Sequence, residues 1–207
     1  MNESCQKLVD ESDNNPDKQY TVGKYMIEQK KGFEHLINYG IKYLERSNDG
    51  GCIDAALYLS KMYQEGVLVT KNIKKAKTYL LNYIDEDDAR LCNELARILL
   101  NENSISEARV YYEKGAIMFD PESMFNYGLM LINGEGGECN IDEGLRYLNL
   151  SKNHSFESSC KYLKIYDHLK NKRSFSILQP EVKFFFVNQI YENNKDKSVG
   201  EMKITEK

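Results

Sequence analysis

Three stretches of the chain place apolar or small residues at positions i, i+3, i+4 and i+7, which is the spacing of one face of an α-helix. The stretches span residues 55–66, 90–102 and 123–136. When the three stretches are aligned, their apolar and small residues occupy the same positions. The aligned sets are Ala56, Cys92 and Met124; Leu59, Leu95 and Tyr127; Ser60, Ala96 and Gly128; and Tyr63, Leu99 and Leu131. The pattern predicts three helices in one shared register.

A second motif recurs with nearly the same period as the first. In residues 39–44, 75–80, 107–112 and 143–148, a small residue is followed three positions later by Tyr and then by Leu or Tyr. The small residues are separated by 36, 32 and 36 positions; they are Gly40, Ala76, Ala108 and Gly144. Regular self-similarity of this kind is typical of repeat proteins. Each unit therefore reads as helix, loop, helix.

The small positions predict how the units pack. A small side chain lets two helix axes approach closely, so Ser60, Ala96 and Gly128 should lie where each first helix meets its partner. One helix pair cannot bury its apolar face alone, so successive pairs must stack. The chain is therefore predicted to be all-α, a right-handed α-solenoid of about five antiparallel helix pairs.

The repeat extends in both directions with the same period. A step of 36 residues backwards reaches residues 18–29, and a step forwards reaches residues 157–169. A last, degenerate second helix is expected at 178–193, although the KFFFV run at 183–187 also allows a strand. We therefore expect a repeat domain over 16–193, between disordered segments at 1–15 and 194–207.

The stretch from Ala55 to Ile84 resembles a Sel-one-like repeat of the tetratricopeptide superfamily. It matches that pattern at Ala56, Leu59, Tyr63, Gly66, Val67, Lys75, Ala76 and Tyr79. The unit from Ser123 to Leu150 matches at Tyr127, Gly128, Gly134, Gly136, Asp142 and Tyr147. The middle unit has a shorter loop without glycines and is closer to an ordinary tetratricopeptide unit. The resemblance implies a scaffold for protein complexes, in settings such as ubiquitin-linked degradation, signalling or host–microbe contact.

Composition narrows the possible functions. The 28 basic and 32 acidic side chains give a formal net charge of −4, which argues against a nucleic-acid binder. No apolar run approaches 18 residues, so a membrane span is not expected. The five cysteines form no CxxC pair and the N-terminus shows no secretory signal, so we expect a cytoplasmic protein.

No motif in the sequence predicts catalysis, a metal or a cofactor. The GEGGE run at 134–138 lacks the lysine of a phosphate-binding loop and reads as an inter-helix loop. The acidic run at 85–88 reads as a helix cap. Cys92 and Cys160 fall at the position of Ala56, where a small buried side chain is expected.

If the chain follows its superfamily, the first helix of each pair lines a concave binding face. The groove residues are then those beside the core positions: Asp54, Leu57, Lys61, Gln64, Arg90, Asn93, Arg97, Asn101, Phe125, Leu129 and Asn133. Lys61, Arg90 and Arg97 would form a cationic stripe suited to an acidic segment. Asn93 and Arg97 resemble residues that hold peptide carboxylates in some tetratricopeptide domains. Alternatively, each cation pairs with a local acid such as Glu94 or Asp54.

The sequence thus favours a monomeric, non-enzymatic adaptor that binds a protein or peptide, and it gives no identity for the partner. One alternative is a structural subunit of a larger assembly, in which exposed apolar residues at Phe125, Leu129 and 184–186 bury against another chain. A regulatory fragment of an enzyme is a further, weaker alternative.

Overall fold

The computed structural model describes residues 14–28 and 34–170. These residues form nine helices joined by turns, with no strand among them. The helices are α1 (Pro16–Glu28), α2 (Glu34–Asp49), α3 (Ile53–Glu65), α4 (Ile73–Leu81), α5 (Ala89–Asn101), α6 (Ile105–Ile117), α7 (Pro121–Asn133), α8 (Ile141–Asn153) and α9 (Glu157–Lys170).

Helices that are neighbours in sequence pack on one another within two compact units, Met1–Ile98 and Leu99–Lys207. In the first unit α1 packs on α2, α2 on α3, and α3 on α4. In the second unit α6 packs on α7, α7 on α8, and α8 on α9. The predicted all-α repeat fold is confirmed.

Small residues bring paired helices together, as the sequence predicts. A Cβ added to Gly128 would lie 2.9 Å from the carbonyl oxygen of Gly144, and one added to Gly144 would lie 2.7 Å from that of Gly128. Gly23 and Gly40 make the same reciprocal approach between α1 and α2, at 2.8 Å. A step of 36 from Ser60 would instead place Lys24 at this crossing. The register of the first pair is therefore shifted by one residue.

The residue after each motif tyrosine is fully or almost fully buried in the second helix. Leu44, Leu80 and Leu148 are 0% exposed, and Tyr112 is 2% exposed. The motif tyrosines themselves lie nearer the surface, and of these only Tyr79 is buried among the described residues. The other three motif tyrosines therefore pack with their side chains partly exposed to solvent.

The loops within the second and fourth pairs have the same geometry. Gly66 and Gly134 end their first helices in the left-handed region, with φ of 71° and 67°. Asn72 and Asn140 then begin the second helices, where each side chain accepts a hydrogen bond from the backbone N–H three residues later. The prediction that GEGGE is an inter-helix loop is confirmed.

The first pair and the fourth pair each contain an equivalent hydrogen bond between their own two helices. The hydroxyl of Ser47 donates to the carbonyl oxygen of Pro16 at 2.6 Å, and Ser151 donates to Pro121 at the same distance. Both prolines occupy the first position of a helix, where a missing N–H costs nothing. The bond fixes the end of the second helix against the start of the first.

Some predictions fall at or beyond the edge of the described residues. Asn15, which the prediction placed in the N-terminal segment, caps α1 by accepting from the backbone N–H of Lys18 at 3.0 Å. The helix or strand expected within 178–193 and the tail at 194–207 lie outside the described residues. Within the described part, no helix is both long and apolar enough to cross a membrane.

Candidate functional site

The predicted groove residues lie on α3, α5 and α7, the first helices of three successive pairs. Their exposure divides them into three groups. The exposed ones are Asp54, Lys61, Arg90, Asn101 and Asn133; the half-buried ones are Leu57, Arg97 and Leu129; the buried ones are Gln64, Asn93 and Phe125. The surface available to a partner in the first unit is therefore mostly charged, with Leu57 as its apolar member.

Arg90 holds α3 and α5 together at their N-terminal ends. Its Nη1 donates to Asp54 Oδ1 at 2.6 Å, and its Nη2 donates to Asp88 Oδ2 at 2.6 Å. The Asp88 side chain also accepts from the backbone N–H of Arg90 at 2.9 Å, so the predicted capping role of the acidic run is confirmed. The hydrogen bonds from Arg90 lower the pKa of Asp88, although burial opposes the shift.

The other two cations of the predicted stripe also have acidic neighbours. Arg97 lies 3.2 Å from Glu94, and Lys61 lies 4.0 Å from Glu65. The Glu94 carboxylate also accepts a long hydrogen bond, 3.5 Å, from Gln64. The structure thus favours the alternative in which each cation pairs with a local acid. The positive charge of the stripe is balanced by the carboxylates beside it.

Phe125 does not lie on an open face. Its side chain is 6% exposed and belongs to the core of the second unit. Its ring lies 5.6 Å from that of Phe156, which directly precedes α9, and 6.3 Å from that of Tyr162 on α9. The prediction of an exposed Phe125 was wrong, because consecutive first helices bury this position between them. Leu129 packs against the same cluster.

Asn93 is buried rather than presented to a ligand. It is 7% exposed, and its Oδ1 has no hydrogen-bond partner among the described residues. Its proposed companion Arg97 is engaged by Glu94. The pair is therefore not arranged as a ready carboxylate-binding site.

A charged aromatic cluster was not singled out by the sequence. Lys75 Nζ donates to Tyr63 Oη at 2.6 Å and to Glu45 Oε1 at 3.3 Å, and it lies 4.3 Å above the Tyr63 ring. Tyr79 stacks on Tyr63 with ring centroids 5.9 Å apart. Burial acts to lower the pKa of Lys75, but the hydrogen bonds that Lys75 donates to these partners outweigh it and raise the pKa.

The second unit holds a related arrangement. The hydroxyl of Tyr127 donates to Glu113 Oε1 at 2.8 Å, and its ring meets that of Tyr147 edge-on at 5.0 Å. Burial and then the Glu113 hydrogen bond raise the pKa of Tyr127 to about 12. Glu45 and Glu113 both lie two residues after a motif tyrosine. This shared offset is the sequence feature from which the two glutamates could have been found. Both clusters tie neighbouring helices together.

Among the described residues, no cluster of three His, Cys, Asp or Glu side chains is placed to hold a metal ion. The described cysteines are not joined in disulfides; they are Cys52, Cys92, Cys139 and Cys160. The arrangement presents paired charges on helix faces that another polypeptide can contact.

The fold and its repeated loops define the class of protein. The family model described as Sel1 repeat matches residues 53–81 and 121–154, which contain the α3–α4 and α7–α8 pairs. The chain therefore contains Sel1 repeats, as its sequence motifs predicted. The matched ranges leave out the middle unit, whose short loop lacks glycines.

Two solved structures share this fold. A Sel1 repeat protein from Oxalobacter formigenes superposes with a TM-score of 0.64 at 14% identity, covering 75% of this chain and 65% of its own. The protein c5321, a protective antigen of uropathogenic Escherichia coli strains that displays an SLR fold, superposes with a TM-score of 0.65 at 18% identity. That match covers 87% of this chain and 42% of c5321. The chain thus spans less than two thirds of either protein, and no curated protein matches it.

Proposed function

We propose that the protein is a non-enzymatic interaction module that binds a protein or peptide on the first-helix face of its repeats. The observation that carries this proposal is the set of exposed charged side chains on consecutive first helices, Asp54 and Lys61 on α3 and Arg90 on α5. Sel1 repeats supply the scaffold, and stacked repeats use such faces as extended binding surfaces.

The charge pairing of this face bears on the kind of partner. A stripe of unpaired cations would suit an acidic segment, but Arg90 and Arg97 each hold a carboxylate already. A partner of mixed polarity can exchange ion pairs with Asp54, Lys61 and Arg97 without leaving a charge uncompensated. We therefore favour a partner segment that carries both signs of charge and an apolar residue for Leu57.

Charge reversal of Lys61 and Arg97 together tests this site. The double variant Lys61→Glu, Arg97→Glu should retain its melting temperature to within a few degrees, because exposed ion pairs contribute about 1 kcal/mol or less. It should lose its partners in quantitative affinity purification followed by mass spectrometry. The same partners should be recovered with the wild-type chain.

A matched control separates the site from a general charge effect. Lys42→Glu with Lys74→Glu makes the same change in net charge, at exposed positions on the second helices α2 and α4 of the same unit. The proposal requires that this control keep the partners. If both double variants keep them, or both lose them, the first-helix face is not the binding site.

An exposed apolar turn favours a second candidate, a structural subunit of a larger assembly. Ile117 and Phe119 are 63% and 64% exposed, and such side chains are commonly buried in contacts between chains. Light scattering after gel filtration distinguishes the candidates, because the adaptor proposal expects a monomer. We also propose a cytoplasmic location, because the described cysteines are not joined in disulfides, and cell fractionation tests it.

A further inference from the structure

Large apolar side chains stand in solvent on α6 and in the turn after it. Val110 is 49% exposed on the helix, and Ile117, Met118 and Phe119 at its C-terminal end are 63%, 38% and 64% exposed. All of them belong to the second compact unit, and together they are called the α6 patch below. Isolated exposed apolar residues are ordinary on protein surfaces, but several of this size close together mark a contact surface.

The other helix pairs show that these positions do not need apolar residues. Val110 and Ile117 lie two and nine residues after Ala108, the small residue of their helix. The residues at the same two positions in the other described pairs are all exposed and polar. They are Lys42, Thr78 and Arg146 at the first position, and Asp49, Asp85 and Asn153 at the second. The repeat fold therefore leaves the side chain open here, and the apolar choice in the third pair needs another reason.

Phe119 occupies a backbone position that does not suit a bulky residue. Its φ is 62°, in the left-handed region, which favours glycine or a small polar residue. The same position holds Gly51 at φ 96° in the turn after α2 and Ser155 at φ 61° in the turn after α8. The strained and exposed Phe119 ring therefore points to a role in contact.

Charged residues on the same face restrict the chemistry of a partner. Lys114 lies between Val110 and Ile117 on the exposed face of α6, and Glu107 lies one helical turn before Val110. Neither Lys114 nor Glu107 forms an ion pair with a described residue. Lys114 Nζ lies 5.2 Å from the centroid of the Tyr111 ring. A surface that covers the patch must bring an acid to Lys114, because apolar atoms alone would bury an unpaired charge.

An α-helix suits this surface better than an extended segment does. Between Val110 and Ile117 the backbone of α6 is hydrogen-bonded within the helix, so it offers no partners to the backbone of an extended segment. A partner helix has its own backbone bonds satisfied and contacts the surface with side chains alone. Val110 and Ile117 are seven residues apart, about 10 Å along the axis, which matches the spacing of an apolar stripe on a second helix.

We propose that the α6 patch binds an amphipathic helix of a partner protein, and that this helix carries an acidic residue beside its apolar stripe. The stripe covers Val110, Ile117 and Phe119, and the carboxylate pairs with Lys114. This surface shares no residue with the first-helix face, so the inference goes beyond the binding proposed there and holds for either candidate function. An adaptor with both surfaces has a separate site for each of two partners.

Selection of displayed helices on the full-length chain tests the chemistry of the partner. The library consists of designed helices with leucine at i, i+4, i+7 and i+11, and with Glu, Gln or Lys at the positions beside this stripe. Binding helices should be enriched in Glu, although the net charge of −4 on the chain would by itself favour Lys. Lys114→Glu should reverse the preference to Lys. The matched control Lys152→Glu makes the same charge change in the last turn of α8 and should keep the preference for Glu.

A second variant takes its residues from the other pairs of this chain. Val110→Thr, Ile117→Asn and Phe119→Ser together install the residues that the second or the fourth pair has at these positions. The fold should therefore persist, which a thermal melt checks. The triple variant should bind the selected helices about tenfold or more weakly than wild type. The variant Lys61→Glu, Arg97→Glu should bind them as wild type does, so the two proposed sites fail or succeed separately.

Several outcomes would overturn the proposal. It is wrong if no helix is enriched, if the selected helices bind the triple variant as tightly as wild type, or if their charge preference does not follow residue 114. Light scattering that shows a wild-type dimer and a monomeric triple variant would place a second copy on the patch. Binding to phosphatidylserine vesicles that the triple variant loses would assign the patch to a membrane surface.

Discussion

Helix crossings in this fold depend on single small residues. Ala76 is fully buried on α4, at the position that Gly40 and Gly144 occupy in the first and fourth pairs. At those glycines even a Cβ would meet a backbone oxygen at 2.8 Å or less. The repeats therefore tolerate a methyl group at this position only where the opposite helix leaves room for it.

Replacing Ala76 with Arg should destabilise the first unit by several kcal/mol, because it buries an unpaired charge at a helix crossing. Urea unfolding followed by circular dichroism measures the change. Thr78→Arg, two residues away on the exposed side of the same helix, should change the free energy of unfolding by less than about 0.5 kcal/mol. Equal effects from the two variants would show that the crossing lies elsewhere.

Leu68 is strained in the loop of the second pair. Its φ is 67°, where the matching loop of the fourth pair has Gly136 at φ 72°. Asn adopts this conformation more readily than Leu, so Leu68→Asn should raise the free energy of unfolding by about 0.5–1 kcal/mol. Leu68→Val is the control and should lower it, because β-branched side chains fit this region worst. A stabilised Val variant would contradict the explanation.

The α5 helix owes its N-terminal cap to an ion pair that titrates in acid. Arg90 lowers the pKa of Asp88 in the folded state below the usual value of 3.8. A depressed carboxyl pKa stabilises the fold above pH 3.8, and this stabilisation is lost as pH falls through the folded-state pKa. Stability should therefore drop in this acidic range.

Asp88→Asn isolates this contribution. Near pH 7 the variant should be less stable than wild type by about 1 kcal/mol or less, since the pair is partly exposed. The two proteins should converge in stability as pH is lowered below 3.8. Chemical unfolding at several pH values measures the difference, and a gap that stays constant down to pH 2 would rule out the ion pair as its cause.

Helices and loops could be predicted from this sequence because their signals are local. The i, i+3, i+4 spacing identifies α3, α5 and α7, and the glycines Gly66, Gly134 and Gly136 identify the loops of the second and fourth pairs. The one-residue shift at Gly23 escaped prediction, because a fixed period carries no information about the length of each inter-repeat turn. Whether a segment forms a helix or a loop depends on residues close in sequence. Which residues lie at a helix crossing depends on contacts between two helices.

The candidate site could be predicted only in part, because it depends on packing between repeats. The register correctly placed Asp54, Lys61 and Arg90 off the core. The sequence also offered Asp54 as an acid that a cation of the stripe could pair with, and Arg90 lies one 36-residue period from Asp54, at the same place on the adjacent first helix. Burial of Phe125 could not, since it depends on Phe156 and Tyr162, which lie in the least regular repeat.

The balanced ion pairs of the first-helix face have a kinetic consequence. A surface with a strong net potential accelerates encounter with an oppositely charged partner, and salt slows that encounter. With Arg90, Arg97 and Lys61 each beside a carboxylate, this face has little net potential to draw a partner from a distance. Association should proceed at about 10⁵–10⁶ per molar per second, the range typical without electrostatic steering.

Stopped-flow measurements with an identified partner at low and high salt test this expectation. The association rate should vary little between the two conditions, so differences in affinity between partners should appear in their dissociation rates. A fall of about tenfold or more in the association rate at high salt would show that long-range attraction guides the encounter. Partner choice on this face would otherwise be decided by residence time, after the two surfaces have already met.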